Sequence, residues 1–384
     1  MKRFIKIFSV IFVLVLSFSL VGCGLGETIL GDTGDGDDAV ILHTLAQSVN
    51  ILRTSDVSVN TVDNSTIEPM SVTEVVDKVA DSVVEINTVI DSSGGAAGSG
   101  VLFATNDTRY FVITNNHVIE DAVNISVILT DGTKHNATLV ATDSKNDIAV
   151  ISILKSTIDI DEYPTVTIPS DNYKVRVGDT AIAIGNPLGS LGGTVTSGIV
   201  SALDRQISVE GEEMTLLQTD AAINSGNSGG ALFDCYGQLI GIVNAKAADV
   251  GIEGIGFAIP VKTAVSTACD LIISGYVTGR PAIGVTVVAF SNANQIYQHS
   301  HKYNWKQYFD YTGDAIGLYI QEVSNTASGL EIGDYLVSAD GVSVTTQSEL
   351  SSAIRAHKVG EQLQLQIRRK GELKTISVTL IESK

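Results

Sequence analysis

The sequence predicts a mainly β protein, in which a large β domain, a barrel or a sandwich, is followed by a small α+β module. Short runs rich in Val, Ile and Thr alternate with Gly, Asn and Asp from Val72 to Lys246, which is typical of many short strands joined by turns. Only Val261 to Tyr276 then has the spacing and length of a helix, which would close this region. A second group of strands, with one helix between them, begins near Arg280.

The composition is that of a globular protein. Hydrophobic residues make up 44% of the 384 residues and charged residues 17%, which excludes wholesale disorder. The net charge of −19 results from 43 acidic and 24 basic residues. Because such a surface repels phosphate backbones, we expect no nucleic-acid partner.

Residues 1–22 have the layout of a secretory signal peptide, with a basic start and an apolar run that is short for a membrane span. The tetrapeptide LVGC at 20–23 resembles the bacterial lipoprotein signal. That resemblance implies lipidation of Cys23 and an exported protein anchored to the bacterial cell membrane. Plain cleavage and an uncleaved anchor are the alternatives.

Residues 23–70 are acidic and rich in Ser, Thr, Asn and Gly. Such a segment buries too little apolar surface to offset its ordering entropy, so we predict a disordered tether between the lipid and the folded body.

Cys235 and Cys269 are the cysteines that remain beyond Cys23, and two are too few for a disulfide-built scaffold. Their spacing does not decide whether they pair. Two free, buried thiols are the simpler interpretation.

A serine among glycines, in GNSGG at 226–230, suggests a nucleophile. The G-x-S-x-G elbow of α/β-hydrolases needs a helix after the serine and acid and histidine partners downstream. Here ALFDCYGQLIGIV follows, which predicts a strand, a turn and a strand. The elbow is therefore rejected, and a Ser-His-Asp triad in the chain order His, Asp, Ser fits instead.

Two partners for Ser228 lie upstream at strand ends: His117 follows the apolar run YFVIT and Asp147 precedes IAVISIL. In a triad Ser228 attacks, His117 takes and returns its proton, and Asp147 holds the imidazole. Backbone N–H groups of Gly226, Asn227 and Ser228 are candidates for an oxyanion hole, at about 3 kcal/mol per donor. A structural role is the simpler explanation for each residue alone, but the three together, in order and in context, favour catalysis.

Residues 72–384 resemble the HtrA (Deg) family of secreted serine proteases. The motifs that carry the resemblance are GSGVLF, TNNHVI, NDIAVISI, AIGNPLG, TSGIVSALDR, LQTDAAINSGNSGGALF, LIGIVNA and GIGFAIP. It implies a two-barrel chymotrypsin/trypsin-like protease domain over 71–276 and a PDZ domain over 279–384. It also implies cleavage of unfolded or mislocalised proteins without ATP, usually by a homotrimer, and no cofactor.

Two residues near the nucleophile concern specificity and activation. Ala222 stands six residues before Ser228, where Arg/Lys-cleaving relatives of the fold carry Asp, so we expect cleavage after small aliphatic residues. Asn227 stands where proteases activated by propeptide removal carry an Asp. Reordering of the active-site loops is therefore the expected switch.

In the second module, Ile283, Gly284 and Val285 match the loop with which PDZ domains receive the carboxylate of a peptide C-terminus. The run SELSSAIRAHK predicts a helix with Ser348 as its N-cap. The aromatic insertion around Trp305 would extend the binding surface or pack into the core. His299 and His301 have no further ligand nearby, so we expect no metal site.

A chaperone or peptide-binding protein with an inactive protease body is the competing functional class. A decayed relative would be expected to lose part of the triad or of the oxyanion glycines. Because all of these residues are present, the sequence favours a serine endopeptidase.

Overall fold

The computed structural model describes residues 57–62, 68–90, 94–158, 163–186, 193–209, 212–248, 254–302 and 316–383. The predicted signal peptide, Cys23, most of the predicted tether and Trp305 lie outside these residues.

The first part of the protease region is a six-stranded barrel. Its strands follow the order β2-β5-β6-β7-β4-β3, and a β2–β3 pairing closes the ring. Buried aliphatic side chains such as Ile86, Leu102 and Ile151 fill its interior. The elements are β1 (Ser58–Val62), α1 (Val72–Val79), β2 (Val83–Val89), β3 (Ala97–Thr105), β4 (Arg109–Thr114), α2 (Asn116–Ile119), β5 (Asn124–Ile128), β6 (Lys134–Asp143), β7 (Ile148–Leu154) and β8 (Thr167–Pro169).

Strand β1 lies within the segment that the sequence assigned to the tether, so that assignment is wrong for residues 57–62. The strand pairs antiparallel with β3 and parallel with β8, and Val57 and Val59 are buried. Burial of these two side chains, together with the hydrogen bonds to the two neighbouring strands, stabilises β1 in the fold. The composition of the segment does not indicate this stabilisation.

Helix α1 is a second difference, because the sequence predicted no helix before Val261. Ser71 caps it: the Ser71 hydroxyl accepts a hydrogen bond from Glu74 N–H, and the Glu74 carboxylate accepts one from Ser71 N–H at 2.8 Å. This reciprocal capping box satisfies backbone donors that a helix start leaves open. The hydrogen bonds from Ser71, that of its backbone N–H first, lower the pKa of Glu74.

A second closed barrel follows, with the strand order β10-β11-β14-β13-β12-β9. Small and branched side chains, among them Ala183, Val200 and Leu232, fill its core. Its elements are β9 (Thr180–Gly185), β10 (Thr194–Val209), β11 (Glu212–Thr219), β12 (Ala231–Phe233), β13 (Leu239–Val243), α3 (Ala245–Ala248), β14 (Gly256–Pro260) and α4 (Val261–Ser274). The two barrels confirm the predicted trypsin-like fold.

Helix α4 contacts β6 and β7 of the first barrel and β13 and β14 of the second. It ends at Gly275, whose left-handed φ of 76° suits a residue without a side chain. With 14 residues it is the longest helix of the described chain. None of the helices in the described ranges is long and apolar enough to cross a membrane.

The C-terminal module is the predicted α+β unit, with a sheet of order β16-β17-β18-β20-β21, β19 beside β18, and a separate β15–β22 pair. Its core includes Leu318, Leu336 and Leu365. The elements are β15 (Pro281–Ala282), β16 (Val285–Phe290), α5 (Ala293–Lys302), β17 (Gly317–Val323), β18 (Tyr335–Ala339), β19 (Val342–Ser343), α6 (Gln347–Arg355), β20 (Gln362–Arg369), β21 (Glu372–Thr379) and β22 (Ile381–Glu382).

The N-cap of α6 differs from the prediction. Thr346, not Ser348, precedes the helix, and its hydroxyl accepts from Glu349 N–H while the Glu349 carboxylate accepts from Thr346 N–H. Thr346 is preferred because it stands three residues before a glutamate, as a capping box requires. Ser348 lies inside the first turn.

Candidate active site

His117, Asp147 and Ser228 meet between the two barrels. His117 lies on the short helix α2 directly after β4, Asp147 ends the turn between β6 and β7, and Ser228 precedes β12. His117 Nε2 is 2.9 Å from Ser228 Oγ, and His117 Nδ1 is 2.7 Å from Asp147 Oδ2. The structure therefore brings together the three residues that the sequence proposed as a triad.

Asp147 is fixed by several further hydrogen bonds. Its Oδ1 accepts from His117 N–H at 3.0 Å, and its Oδ2 accepts from Asn244 Nδ2 at 3.0 Å. Its backbone carbonyl accepts from Asn115 Nδ2 at 3.0 Å. These contacts hold a residue whose φ of 50° is left-handed, a conformation that aspartate tolerates better than most side chains. Both carboxylate oxygens therefore have set directions before any substrate binds.

Asn244 is a residue of this site that the sequence interpretation did not identify. It follows β13 within LIGIVNA, one of the motifs that carried the family resemblance, and its side chain is fully buried. Its position after an apolar strand was the available signal. A strand end predicts only a loop, however, and not which side chain turns toward Asp147.

Ser228 is held with its hydroxyl directed at the imidazole. Ala245 N–H donates to Ser228 Oγ at 3.2 Å, so the hydroxyl proton is left for His117 Nε2. Ser228 O accepts from Ser99 N–H at 2.8 Å, which ties the serine to β3 of the first barrel. His117 Nδ1 then carries the ring proton donated to Asp147, the tautomer that a general base requires.

Gly229 explains part of the glycine-rich motif. Its φ is 79°, and an added Cβ would lie 2.3 Å from both Ser99 O and Thr114 Oγ1. A side chain here would push β3 and β4 away from the serine. The backbone approach therefore requires glycine at this position.

The predicted oxyanion donors are not all directed at one open site. Residues Ser225–Asn227 form a 3₁₀ turn in which Asn227 N–H donates to Asn224 O at 3.0 Å. Gly226 N–H donates to Asn224 Oδ1 at 3.2 Å. Asn227 is thus wrong as an oxyanion donor in this arrangement, because a 3₁₀ turn uses its amide internally, and the Gly226 amide is also engaged, by Asn224.

Ala222 has both polar and apolar neighbours. Ala222 is exposed, and its carbonyl accepts from Thr196 Oγ1 at 2.8 Å. Ile223 packs against Gly256, where an added Cβ would lie 2.5 Å from Ile223 Cγ1.

The predicted carboxylate loop lies at the start of β16. Ile283 is buried, and Gly284 has a left-handed φ of 71°. Gly284 O accepts from Ser324 N–H at 2.9 Å and Asn325 N–H at 3.0 Å, while Val285 pairs with Val323. An added Cβ on Gly284 would lie 2.4 Å from Asn325 Cβ, so this loop requires glycine.

The other residues that the sequence singled out are two cysteines and two histidines. Cys235 and Cys269 are free thiols, as the simpler interpretation expected, but only Cys269 is buried; the expectation of burial is wrong for Cys235, which is partly exposed. The His299 ring stacks edge-on against Phe290 at 5.2 Å between centroids. Among the described residues no group of three or more His, Cys, Asp or Glu side chains could hold a metal ion, and the side chain of His301 lies outside that description.

Two domain families match the chain. The trypsin-like peptidase domain matches residues 98–242 and the PDZ domain matches residues 281–380.

Relatives match along most of the chain. Serine protease Do-like HtrB of Bacillus subtilis (strain 168) is 34% identical over 348 residues, which cover 83% of this chain and 73% of HtrB. Serine protease Do-like HtrA of Lactococcus lactis subsp. cremoris (strain MG1363) is 30% identical over 383 residues, covering 91% of this chain and 92% of that protein. Periplasmic pH-dependent serine endoprotease DegQ of Escherichia coli (strain K12) is 38% identical, with 74% of this chain and 59% of DegQ covered.

Solved protease structures are also similar to this chain. The serine endoprotease from Yersinia pestis has a TM-score of 0.53 and 30% identity, covering 83% of this chain and all of that one. The HtrA-type protease AlgW with a decapeptide has a TM-score of 0.54 and 29% identity, covering 82% of this chain and 99% of that one.

Proposed function

The chain belongs to the HtrA family of serine proteases, and we propose that it cleaves unfolded or mislocalised proteins with His117, Asp147 and Ser228 as its catalytic triad. The observation that carries the proposal is the pair of contacts at His117, 2.9 Å to Ser228 Oγ and 2.7 Å to Asp147 Oδ2. A serine next to a base that is itself oriented by a carboxylate is the arrangement of nucleophilic catalysis.

In the first step Ser228 Oγ attacks the peptide carbonyl carbon, and His117 Nε2 accepts the hydroxyl proton. Asp147 stabilises the resulting imidazolium through His117 Nδ1–H. His117 then returns the proton to the leaving amine, which gives an acyl-enzyme, and water attacks that ester in the same way. The enzyme is a serine endopeptidase, as the curated relatives are.

We infer that Gly226 and Ser228 N–H groups form the oxyanion hole after the 225–227 turn rearranges. The hydrogen bond from Gly226 N–H to Asn224 Oδ1 is long, at 3.2 Å, and a developing oxyanion is a stronger acceptor than an amide oxygen. Reordering of this turn is therefore the proposed step between a resting and an active enzyme. We expect cleavage after small aliphatic residues, since neither Ala222 nor Ile223 carries the charge that a basic substrate side chain would need.

A digest of unfolded casein by the full chain tests the triad. Ser228→Ala should abolish cleavage, since the oxygen nucleophile is removed, while thermal unfolding stays unchanged. Casein loss at the parental rate with Ser228→Ala would refute the proposed nucleophile. Sequencing of the casein fragments tests the pocket, because cuts mainly after Lys and Arg would contradict the expected small aliphatic preference.

We further propose that the enzyme acts outside the cytoplasm and is anchored to the membrane through a lipid on Cys23. The signal-like residues 1–22 support export, and the relative DegQ is named as a periplasmic endoprotease. In cells, a labelled fatty acid should be incorporated covalently into the full chain but not into the Cys23→Ala variant. Equal labelling of both would disprove the anchor at Cys23.

The PDZ domain is proposed to bind the C-termini of protein substrates or of activating peptides in the groove beside Ile283, Gly284 and Val285. The enzyme is also proposed to be a homotrimer. The AlgW structures with peptides are of the same architecture. Light scattering of the purified protein tests the assembly, and a monomeric mass at working concentration would contradict it.

A further inference from the structure

We propose that Lys145 of the protease domain completes the peptide groove of the PDZ domain by pairing with the terminal carboxylate of the bound peptide. This inference rests on the proposed function of that groove as a site for peptide C-termini. It adds a specificity-determining residue that lies outside the PDZ domain itself.

The groove is a cavity of about 830 Å³ that both domains line. On the PDZ side it is bounded by the start of β16, including Gly284, and by α6 with Leu350 and Ile354. On the protease side it is bounded by Lys145, Asn146 and Glu213. A peptide in this cavity therefore faces the protease domain as well as the PDZ domain.

Two apolar side chains of α6 and the left-handed Gly284 suit an apolar C-terminal residue and its carboxylate. Consecutive backbone N–H groups around a left-handed residue form a concavity that receives an anion. A carboxylate placed there still carries a full charge inside a partly enclosed cavity. Because the protein has a net charge of −19, a nearby cation is needed to offset the unfavourable potential.

The cavity is lined by three cations, Arg280, Lys145 and Arg355. Arg280 is already paired, since its two terminal nitrogens lie 2.5 and 2.6 Å from the carboxylate oxygens of Asp143. Arg355 lies in the last turn of α6, where it also faces the carbonyl end of the helix dipole. Lys145 forms no ion pair within the described residues, so its charge is available to a ligand.

The turn that carries Lys145 is fixed against the carboxylate loop. Asp143, two residues earlier, is held by Arg280, which precedes that loop. Asn146, one residue later, donates from Nδ2 to Thr267 Oγ1 of α4 at 3.0 Å. Anchors on both sides of Lys145 keep its backbone in place, so only its flexible side chain must be ordered when a peptide binds.

The same turn ends at Asp147. A peptide that pairs with Lys145 therefore touches the segment that positions the carboxylate of the proposed triad.

The test measures peptide affinity in the full chain carrying Ser228→Ala, which prevents cleavage. A fluorescent peptide with an apolar C-terminal residue is used as the free acid and as the C-terminal amide. We expect Lys145→Ala to weaken the acid about fivefold, the upper range for a solvent-accessible ion pair, and to leave the amide unchanged. Lys145→Glu should weaken the acid further, and added salt should reduce the difference between acid and amide.

Two comparison variants make the result specific. Lys174→Ala removes an exposed lysine that does not line the cavity and should change neither affinity. Equal effects of Lys145→Ala on acid and amide, or a selective loss of the acid only in Arg355→Ala, would overturn the assignment to Lys145. A parent that does not prefer the acid would refute the groove as a C-terminus site, and the role of Lys145 with it.

Discussion

At the residue scale, Asp147 shows how a proposed triad is prepared before substrate arrives. Its two carboxylate oxygens accept from His117 N–H, His117 Nδ1 and Asn244 Nδ2, at 2.7 to 3.0 Å. A carboxylate with all of its neighbours in place keeps the imidazole in one tautomer and one orientation. Asn244 acts through Asp147, so it is a positioning residue.

We expect Asn244→Ala to lower kcat about tenfold with little change in KM. A hydrogen bond to a charged group contributes about 1.5 kcal/mol, and about 1.4 kcal/mol corresponds to a factor of ten in rate. Asn244→Asp keeps the size and the oxygen that accepts from Ala247 N–H but removes the donor. Asn244→Asp should lower kcat further, because it places a second carboxylate against Asp147. Parental turnover of a short peptide by Asn244→Ala would contradict the positioning role.

The three triad candidates were predictable from sequence because each carries a chemical signal of its own. Ser228 lies among glycines, and His117 and Asp147 lie at the ends of apolar strands in the expected order. Asn244 carried no comparable signal, since an asparagine after a strand is common. The amide directions at Gly226 and Asn227 were not predictable either, because a single peptide rotation changes them without any change in sequence.

The two described cysteines should differ in reactivity. Burial raises the pKa of Cys269 to about 12, with Asp270 nearby adding to the effect, whereas Cys235 is partly exposed and its pKa is raised mainly by burial. The reactive thiolate form is therefore strongly disfavoured at Cys269 near neutral pH.

Iodoacetamide should therefore modify Cys235 well before Cys269 in the native enzyme, and both after unfolding. Peptide mapping by mass spectrometry measures the two sites separately. Native modification of Cys269 at the rate of Cys235, or a disulfide between them, would contradict the structure.

At the element scale, local signals predicted most strands, and long-range pairing decided the exceptions. The runs around β4, β7 and β13 are short, apolar and bounded by turn residues. Strand β1 has no such run, and it forms because Asn60 to Val62 pair with Thr167 to Pro169, more than a hundred positions away. Helix α1 was missed although its Ser71-x-x-Glu74 signature is visible in the sequence.

The capping box of α6 gives a prediction at this scale. Thr346→Ala should destabilise the PDZ domain by about 1 kcal/mol, the usual cost of losing an N-cap, and Ser348→Ala should have a much smaller effect. The measurement is the thermal unfolding of the full chain, followed in the PDZ domain by hydrogen exchange of α6. Equal loss in both variants would favour Ser348 as the cap.

The same cap has a pH dependence of defined sign. Hydrogen bonds from Thr345, its backbone N–H first, lower the pKa of Glu349. A lowered folded-state pKa means that the stabilisation is present above the unfolded pKa of a glutamate, about 4.3, and is lost as the pH falls through the folded value. Glu349→Gln should therefore weaken protection of α6 more at pH 7 than at acidic pH, where the carboxylate becomes protonated, and hydrogen exchange across this pH range checks it.

At the scale of the whole molecule, polar contacts join the protease and PDZ domains. Asp270 accepts from Thr278 N–H and Thr278 Oγ1, both at 2.9 Å, and Glu382 accepts from Gly279 N–H at 2.6 Å. These contacts fix the short segment after α4, and the Arg280–Asp143 pair fixes its far end. The connection between the two domains therefore relies on directional hydrogen bonds. The sequence alone did not indicate the number or the partners of these bonds.

The Arg280–Asp143 pair should respond unequally to loss of either partner. Asp143 is 6% exposed, so Arg280→Ala leaves a buried carboxylate without its cation and should destabilise the protein by about 3 kcal/mol. The Arg280 side chain is 25% exposed, so water can solvate it in Asp143→Ala, and the loss should be smaller. Asp143→Asn combined with Arg280→Ala should recover part of the stability, because the uncompensated charge is gone. Denaturant unfolding of the three variants measures their relative stabilities. An Asp143→Ala protein less stable than Arg280→Ala would show that the desolvated carboxylate is not the dominant cost of losing this ion pair.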